Sequence, residues 1–245
     1  MNLYPVNLDL QNRICLIFGG GEVAARKIDA LVSCGAAVSV ISPEVLPVIE
    51  ERAEAGKITW LRRSYQRGDM DGAFLVFAAT GSRAVQQAIV DEAREKSILV
   101  NSASQPEACT FQVPAKVRRG KFLLTVSTGG GSPALASKLR KKLEKEYGPE
   151  YQQFIELMSY VRGKIISDGN TQESHKAVFE KLLQLDIAAQ IRQQDWFALQ
   201  KELRTILPEN MDVDDVMAAI QAPSATSSSG QDMPCPCKQQ PDSEQ

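Results

Sequence analysis

Histidine is nearly absent: the 245 residues hold one, His175, on the polar edge of a helical stretch. It reads as a surface residue, and an imidazole catalyst is not expected. No apolar run approaches the ~20 residues of a membrane span, which argues against a spanning helix. The formal net charge of -2 carries no global nucleic-acid signature. The opening Met1-Asn2-Leu3-Tyr4-Pro5 lacks a charged n-region and an apolar h-region, so no secretory leader is expected. Cysteine is sparse. Cys15, Cys34 and Cys109 lie among apolar or small residues and read as small buried side chains of a reducing cytosol. Cys235 and Cys237 sit in a Pro-Cys-Pro-Cys stretch without the further ligands that zinc needs. The expectation is a cytoplasmic protein with no metal, no membrane and no nucleic acid as partner.

Apolar residues are plentiful, at 43% of the chain, and the length suits one large domain or two smaller ones. The most telling stretch runs from Ile14 to Ala24. Five apolar residues enter Gly19-Gly20-Gly21, and Ala24, Ile28, Leu31 and Val32 then recur at helical spacing. That pattern is a buried strand, a tight turn and a helix packed back on the strand. Gly19-x-Gly21-x-x-Ala24 fits the dinucleotide fingerprint. Gly19 permits the turn, Gly21 lets a pyrophosphate approach the backbone, and Ala24 lets the helix sit close to the sheet. The helix start, at Glu22 and Val23, offers N–H groups and a partial positive charge to phosphates.

Leu3 to Leu10 reads as an edge segment covering the sheet, with Leu8 and Leu10 alternating with polar residues. A second strand, Ala37 to Ser42, ends at Pro43-Glu44. An acid near this point usually holds the adenosine ribose. Glu44 is the nearest carboxylate, and no arginine follows directly to receive a 2′-phosphate, which leans to NAD. A helix over Val45–Ala55 and strands at Ile58–Leu61, Ala73–Thr80 and Ile98–Asn101 follow, with Arg62–Asp71 as a polar connection and a helix capped by Ser82 running to Lys96. Strands alternating with helices predict an α/β fold, a Rossmann-like doubly wound parallel sheet. Ligands bind beyond the carboxyl ends of such strands. Gly19–Val23, Ser42–Glu44, Thr80-Gly81 and Asn101–Ser104 should therefore line one crevice.

After Pro106 the pattern changes. Thr110–Pro114 and Phe122–Ser127 read as strands around a basic turn, Arg118-Arg119-Gly120-Lys121. Thr128-Gly129-Gly130-Gly131-Ser132-Pro133 opens a helix to about Tyr147, with Ser132 as cap. Leu135, Leu139 and Leu143 form its inner face, and Lys138, Arg140, Lys141, Lys142 and Lys145 lie outside. Three helices are expected from Pro149 to Leu207, broken near Asp168-Gly169-Asn170 and Leu185. Pro223 onward, rich in Ser, Gln and Pro, is expected to be disordered. The expected division is 1–113 for the dinucleotide domain, 114–147 for a middle element, 148–220 for a helical domain and 221–245 for a tail.

Tyr4-Pro5-Val6, Leu16 through Lys27, Ala78-Ala79-Thr80, Val100-Asn101, Phe111 through Ala115 and Val126 through Ala136 form a set of stretches spread along the chain. Together they resemble the precorrin-2 dehydrogenase/sirohydrochlorin ferrochelatase family, the dehydrogenase module of siroheme synthase. The resemblance covers about residues 3 to 147 well and the helical region loosely. It implies NAD as hydride acceptor and precorrin-2, a tetrapyrrole with eight carboxylates, as substrate. It also implies a homodimer joined through the middle β/α element. Arg118, Arg119 and Lys138 are candidate partners for the substrate carboxylates, with Thr128 and Ser132 at the glycine turn.

Two departures from the family pattern matter. The family commonly carries an aspartate in the loop after the fifth strand, proposed as the base for oxidation and iron insertion. Here Ser104 stands there, beside Asn101 on the strand end. A serine hydroxyl is a poor base near neutrality. Iron insertion must strip two pyrrole protons, whereas hydride transfer depends more on proximity and orientation. The expectation is a dehydrogenase with weak or no ferrochelatase activity, with Ser104 and Asn101 as catalytic candidates; Glu107, three residues on, is not counted as a substitute base. Thr128, where some members have serine, keeps the hydroxyl. A bifunctional enzyme, an NAD-sensing module without chemistry and a non-catalytic tetrapyrrole binder are the competing readings.

Overall fold

The computed structural model describes residues 3–167 and 172–221. The chain divides into two compact units, Tyr4–Val113 and a second from Pro114 onward. In the first unit the elements are β1 (Ile14–Phe18), α1 (Glu22–Val32), β2 (Ala37–Ile41), α2 (Pro47–Glu54), β3 (Thr59–Leu61), β4 (Leu75–Ala78), α3 (Arg83–Glu95) and β5 (Leu99–Ser102). The five strands form one parallel sheet in the order β3-β2-β1-β4-β5.

Both faces of this sheet are covered, which is why its central strands are apolar throughout rather than alternating. Cys15, Ile17, Val40, Leu75 and Phe77 pack on one face with Ala24, Ile28 and Leu31 of α1 and Ile49 of α2. Leu16, Phe18, Val76, Ala78 and Val100 pack on the other with Ile89, Val90 and Ala93 of α3. No helix joins β3 to β4. Met70, inside the stretch read as merely polar, is fully buried in the α3-side core and anchors that crossover. The expected edge segment at Leu3–Leu10 is not a strand. Only Leu10 is buried, while Leu3, Tyr4, Val6 and Leu8 are exposed. The Arg13 N–H turns back onto the Leu10 carbonyl (2.9 Å), leading the chain directly into β1.

The second unit opens with an antiparallel hairpin, β6 (Ala115–Arg119) and β7 (Phe122–Val126). The strand expected at Thr110–Pro114 does not form. Thr110 is bound to β5 instead: its N–H donates to the Val100 carbonyl (2.9 Å) and its Oγ1 accepts from Val100 N–H (2.8 Å). Pro114 has no N–H for a ladder, so pairing starts at Ala115. Arg118 and Arg119 accordingly lie within β6, and the turn is Gly120-Lys121, with Gly120 at φ +57.

α4 (Pro133–Glu146) starts as expected on Ser132, whose Oγ accepts from Leu135 N–H (3.3 Å). Its expected inner face is corrected. Leu135 and Leu139 are exposed, Leu143 is half-buried, and Ala136 is the buried position. The helix buries a small residue, Ala136, and turns Leu135 and Leu139 outward.

Over Pro149–Leu207 the described residues form four helices rather than three, α5 (Glu150–Ser167), α6 (Gln172–Gln184), α7 (Ile187–Gln193) and α8 (Trp196–Ile206), and α9 (Val213–Gln221) follows beyond that range. The break at Leu185 is present, and Asp186 caps α7 by accepting from Ala189 N–H (3.2 Å). Gln194, in the left-handed conformation at φ 58, stops α7, and Asp195 caps α8 by accepting from Ala198 N–H (3.0 Å). Leu157, Val161, Leu182, Ile187, Leu199, Leu203, Val216 and Ile220 form the core of this bundle. The Asp168-Gly169-Asn170 break, the His175 side chain and the tail with Cys235 and Cys237 lie outside what is described.

Candidate active site

The glycine turn is shaped by the loops around it. Gly19 has φ +114, and a Cβ there would lie 2.3 Å from the Ala79 carbonyl oxygen. A Cβ on Gly20 would lie 2.2 Å from the Glu44 carbonyl oxygen and 2.6 Å from Val45 Cα. Leu46 N–H donates to the Gly20 carbonyl (2.9 Å), which closes the loop after β2 onto the turn. Gly20 occupies an unspecified position of the fingerprint, so the motif gives no hint of this contact. Gly21 is different: a Cβ there would meet nothing within 4 Å. It is the N-cap of α1, extended, with no side-chain cap on the helix. The space beside Gly21 is therefore open at a helix start that no side chain caps, the condition an anionic group needs there. Ala24 is fully buried, as close helix–sheet packing requires.

At the end of β2, Ser42 is buried and its Oγ donates to the Glu44 carbonyl (2.6 Å). Pro43 and the Glu44 side chain are exposed. Trp60 Nε1 donates to the Ser42 carbonyl (2.9 Å). Arg62 stands over the Trp60 ring at 5.2 Å. Reading forward from β2 finds no arginine, but the parallel register pairs Ile41 with Leu61 and so carries Arg62 to the side of Ser42. This cation was missed because it arrives from the neighbouring strand.

After β4, Thr80 and Gly81 lead into α3. Ser82 caps that helix by accepting from Val85 N–H (3.4 Å). Gln86, buried in the first turns of α3, donates through Nε2 to the Thr80 carbonyl (2.9 Å) and the Ala78 carbonyl (3.4 Å). The Ser104 hydroxyl donates to Gln86 Oε1. Asn101 does not join Ser104: its Nδ2 donates to the Phe111 carbonyl (3.1 Å). The neighbouring Ser102 is buried, and its Oγ has no partner. Thus the glycine turn meets Glu44 on one side and Ala79-Thr80 on the other, and Ser104 reaches Thr80 through Gln86. Gln86 carried no sequence signal beyond its place on a helix.

In the second unit, Ser132 N–H donates to Thr128 Oγ1 (3.1 Å) and Gly131 N–H to the Thr128 carbonyl (2.9 Å), so the hydroxyl of Thr128 braces the turn into α4. Arg119 uses its guanidinium on main chain: Nε donates to the Tyr147 carbonyl (3.2 Å) and Nη2 to the Glu144 carbonyl (3.2 Å), at the end of α4. Arg118 and Lys138 are exposed. Arg140 pairs with Glu144 at 2.7 Å. Among the described residues, no group of three or more His, Cys, Asp or Glu side chains is placed to hold a metal, and no helix is long and apolar enough to cross a membrane.

An NAD(P)-binding family model matches residues 6–115, and the model of the sirohaem biosynthesis protein central region matches residues 124–146. The chain is 35% identical over 191 residues to a siroheme synthase of Methylobacillus flagellatus, covering 78% of this chain and 41% of that one. It is 43% identical over 144 residues to one of Methylococcus capsulatus, covering 59% and 30%. The structure of SirC, a precorrin-2 dehydrogenase, superposes with a TM-score of 0.66 at 28% identity, over 78% of this chain and 98% of that one.

The chain is a homologue of the siroheme synthases.

This siroheme synthase homologue spans less than half the length of the curated relatives it matches. Its nicotinamide cofactor is tested by the α1 end itself. An uncapped helix start, an open Gly21 and a buried Ala24 fit a dinucleotide pyrophosphate. The cofactor class is NAD(P).

Proposed function

We propose that this siroheme synthase homologue oxidises precorrin-2 to sirohydrochlorin with NAD as the hydride acceptor. The observation that carries the reading is the open position over Gly21 at the uncapped start of α1. When bound there, the dinucleotide supplies the hydride-accepting ring. The remaining work belongs to the chain. Gly19, Gly20, Gly21, Glu22 and Val23 hold the pyrophosphate. Ser42, Pro43 and Glu44 border the adenosine, with the exposed Glu44 carboxylate available to ribose hydroxyls and the Arg62 guanidinium over the Trp60 ring, so the choice of NAD rests on Glu44. Thr80 and Gly81 border the nicotinamide half. Loss of one hydride and one proton balances the oxidation, and the proton leaves to water. Ser104, as a hydroxyl rather than a carboxylate, suits this step and not the removal of two pyrrole protons in metal insertion. Ferrochelatase activity is therefore weak or absent.

The eight substrate carboxylates require cations, and Arg118, Lys138 and the lysines of α4 supply them beside Thr128 and Ser132. Arg119, bound to main-chain carbonyls, acts by holding the end of α4. Residues 114–147 form the dimerisation element between a dinucleotide domain (1–113) and a helical domain (148–220). The outward Leu135 and Leu139 of α4 are the seam of a homodimer. The protein works in the cytoplasm, where Cys15, Cys34 and Cys109 stay free. Anaerobic incubation with precorrin-2 tests the reading. NADH and sirohydrochlorin are expected to appear mole for mole, and no oxidation on adding NAD would overturn it.

A further inference from the structure

Gln86 is a buried side chain, 3% exposed, at the start of α3, and every polar atom it carries is assigned. Its Nε2 faces two carbonyl oxygens, Thr80 at 2.9 Å and Ala78 at 3.4 Å. Carbonyls only accept, so the amide nitrogen must face them and Oε1 must face the other way, toward Ser104. Oε1 also only accepts. The Ser104 hydroxyl hydrogen is therefore directed at Gln86. A hydroxyl has one hydrogen and two lone pairs. With the hydrogen committed, what remains for a ligand at the mouth of β5 is acceptor capacity alone. The same amide fastens the loop after β5 to the loop after β4, at Thr80.

We propose that Gln86 is a positioning residue acting through Ser104: anchored on the Thr80 and Ala78 carbonyls, it takes the Ser104 hydroxyl hydrogen and leaves the serine oxygen purely an acceptor for a donor group on the substrate, such as a pyrrole N–H. The role in catalysis rests on the dehydrogenase reading above; the hydrogen-bond direction does not. It explains how a serine serves at this position. Ser104 orients a donor and takes up no proton. It also means that a carboxyl introduced by Ser104→Asp alone faces the side-chain oxygen of Gln86, which favours its protonated form donating to that oxygen over a carboxylate ready to take up a proton.

Two measurements test this. The first is a double-mutant cycle on kcat with Gln86→Met and Ser104→Ala. If Gln86 acts through Ser104, each single change lowers kcat about tenfold and the double change is no worse than either. Losses that multiply, or Ser104→Ala leaving kcat unaltered while Gln86→Met lowers it, would overturn the proposal. The second uses no activity. In Gln86→Glu, labelled for carbon NMR, the introduced carboxyl titrates lower with Ser104 present than in the Gln86→Glu/Ser104→Ala pair. A donated hydrogen bond favours the ionised form, and the expected gap is about one pH unit, tenfold in the ionisation constant. Identical titrations would overturn the contact. A wild-type protein that does not oxidise precorrin-2 would overturn the dehydrogenase reading and the catalytic role of Gln86; the titration would still decide the contact.

Discussion

The three consecutive glycines separate cleanly into those the fold needs and the one a ligand needs. Gly19→Ala places a Cβ 2.3 Å from the Ala79 oxygen on a residue whose φ is +114. The conformational cost is about 1–2 kcal/mol, and the forced shift of backbone adds about 1–3 kcal/mol. A loss of about 2–5 kcal/mol is a large share of a typical domain stability of about 5–15 kcal/mol. The Tm should fall by roughly 10 °C or more. Gly20→Ala meets the Glu44 oxygen at 2.2 Å and also breaks the loop closure at Leu46. Gly21→Ala meets nothing within 4 Å and has an ordinary extended φ of -88. Its stability cost is that of a poorer N-cap, about 0.5–1 kcal/mol. Its Cβ instead occupies the space above the α1 amides. NAD affinity should fall at least tenfold, about 1.4 kcal/mol. Thermal unfolding and isothermal titration with NAD on the same samples check both halves. If Gly21→Ala binds NAD like the parent, or unfolds as early as Gly19→Ala, the placement of the pyrophosphate at this helix start is wrong.

If the proposed homodimer forms through α4, Leu139→Asp on its outward face converts it to a monomer, read by light scattering, with little loss of helical signal; an unchanged mass would remove α4 from the interface. Glu92 is fully buried and accepts from the Tyr65 hydroxyl and from Gly68 N–H at 2.9 Å. Glu92→Ala strands the Gly68 N–H, leaves the Tyr65 hydroxyl only a long contact to the Ala88 carbonyl (3.5 Å) and removes a carboxylate 3.6 Å from Lys96 Nζ, and should cost about 2–4 kcal/mol in urea unfolding. Burial raises the Glu150 carboxyl, but the Arg192 guanidinium and nearby main chain outweigh it and hold the carboxyl below its usual range. A depressed folded pKa gives stability that is present above the unfolded value and lost as pH falls through the folded one. Arg192→Met should therefore move acid unfolding of the helical unit to higher pH, seen by circular dichroism; an unchanged midpoint would deny the pair its role.

What was legible in the sequence was whatever is local. Ile14–Phe18 running into glycines, the Ser82 and Ser132 caps and the apolar spacing of α1 each depend on neighbours within a turn or two. Contacts that arise between strands were not legible. Arg62 comes alongside Ser42 only through the parallel register of β2 and β3, with its guanidinium over Trp60. Gly20 is required by a loop that folds back from Glu44. Thr110 looked like a strand residue but is held by Val100 of β5. Gln86 looked like any polar helical residue until α3 packed it under Thr80 and Ser104. Periodicity showed that α4 is amphipathic, yet it did not say which body its leucines face, and within one chain Leu135 and Leu139 face outward.

The most direct measurement is one anaerobic time course with the purified protein and precorrin-2. Absorbance is followed first without NAD, then with NAD, then after ferrous ion is added. No change is expected at first, then conversion to sirohydrochlorin once NAD is present, and metal insertion no faster than without protein. Failure of the NAD-dependent step would contradict the dehydrogenase, and accelerated insertion would contradict the role given to Ser104.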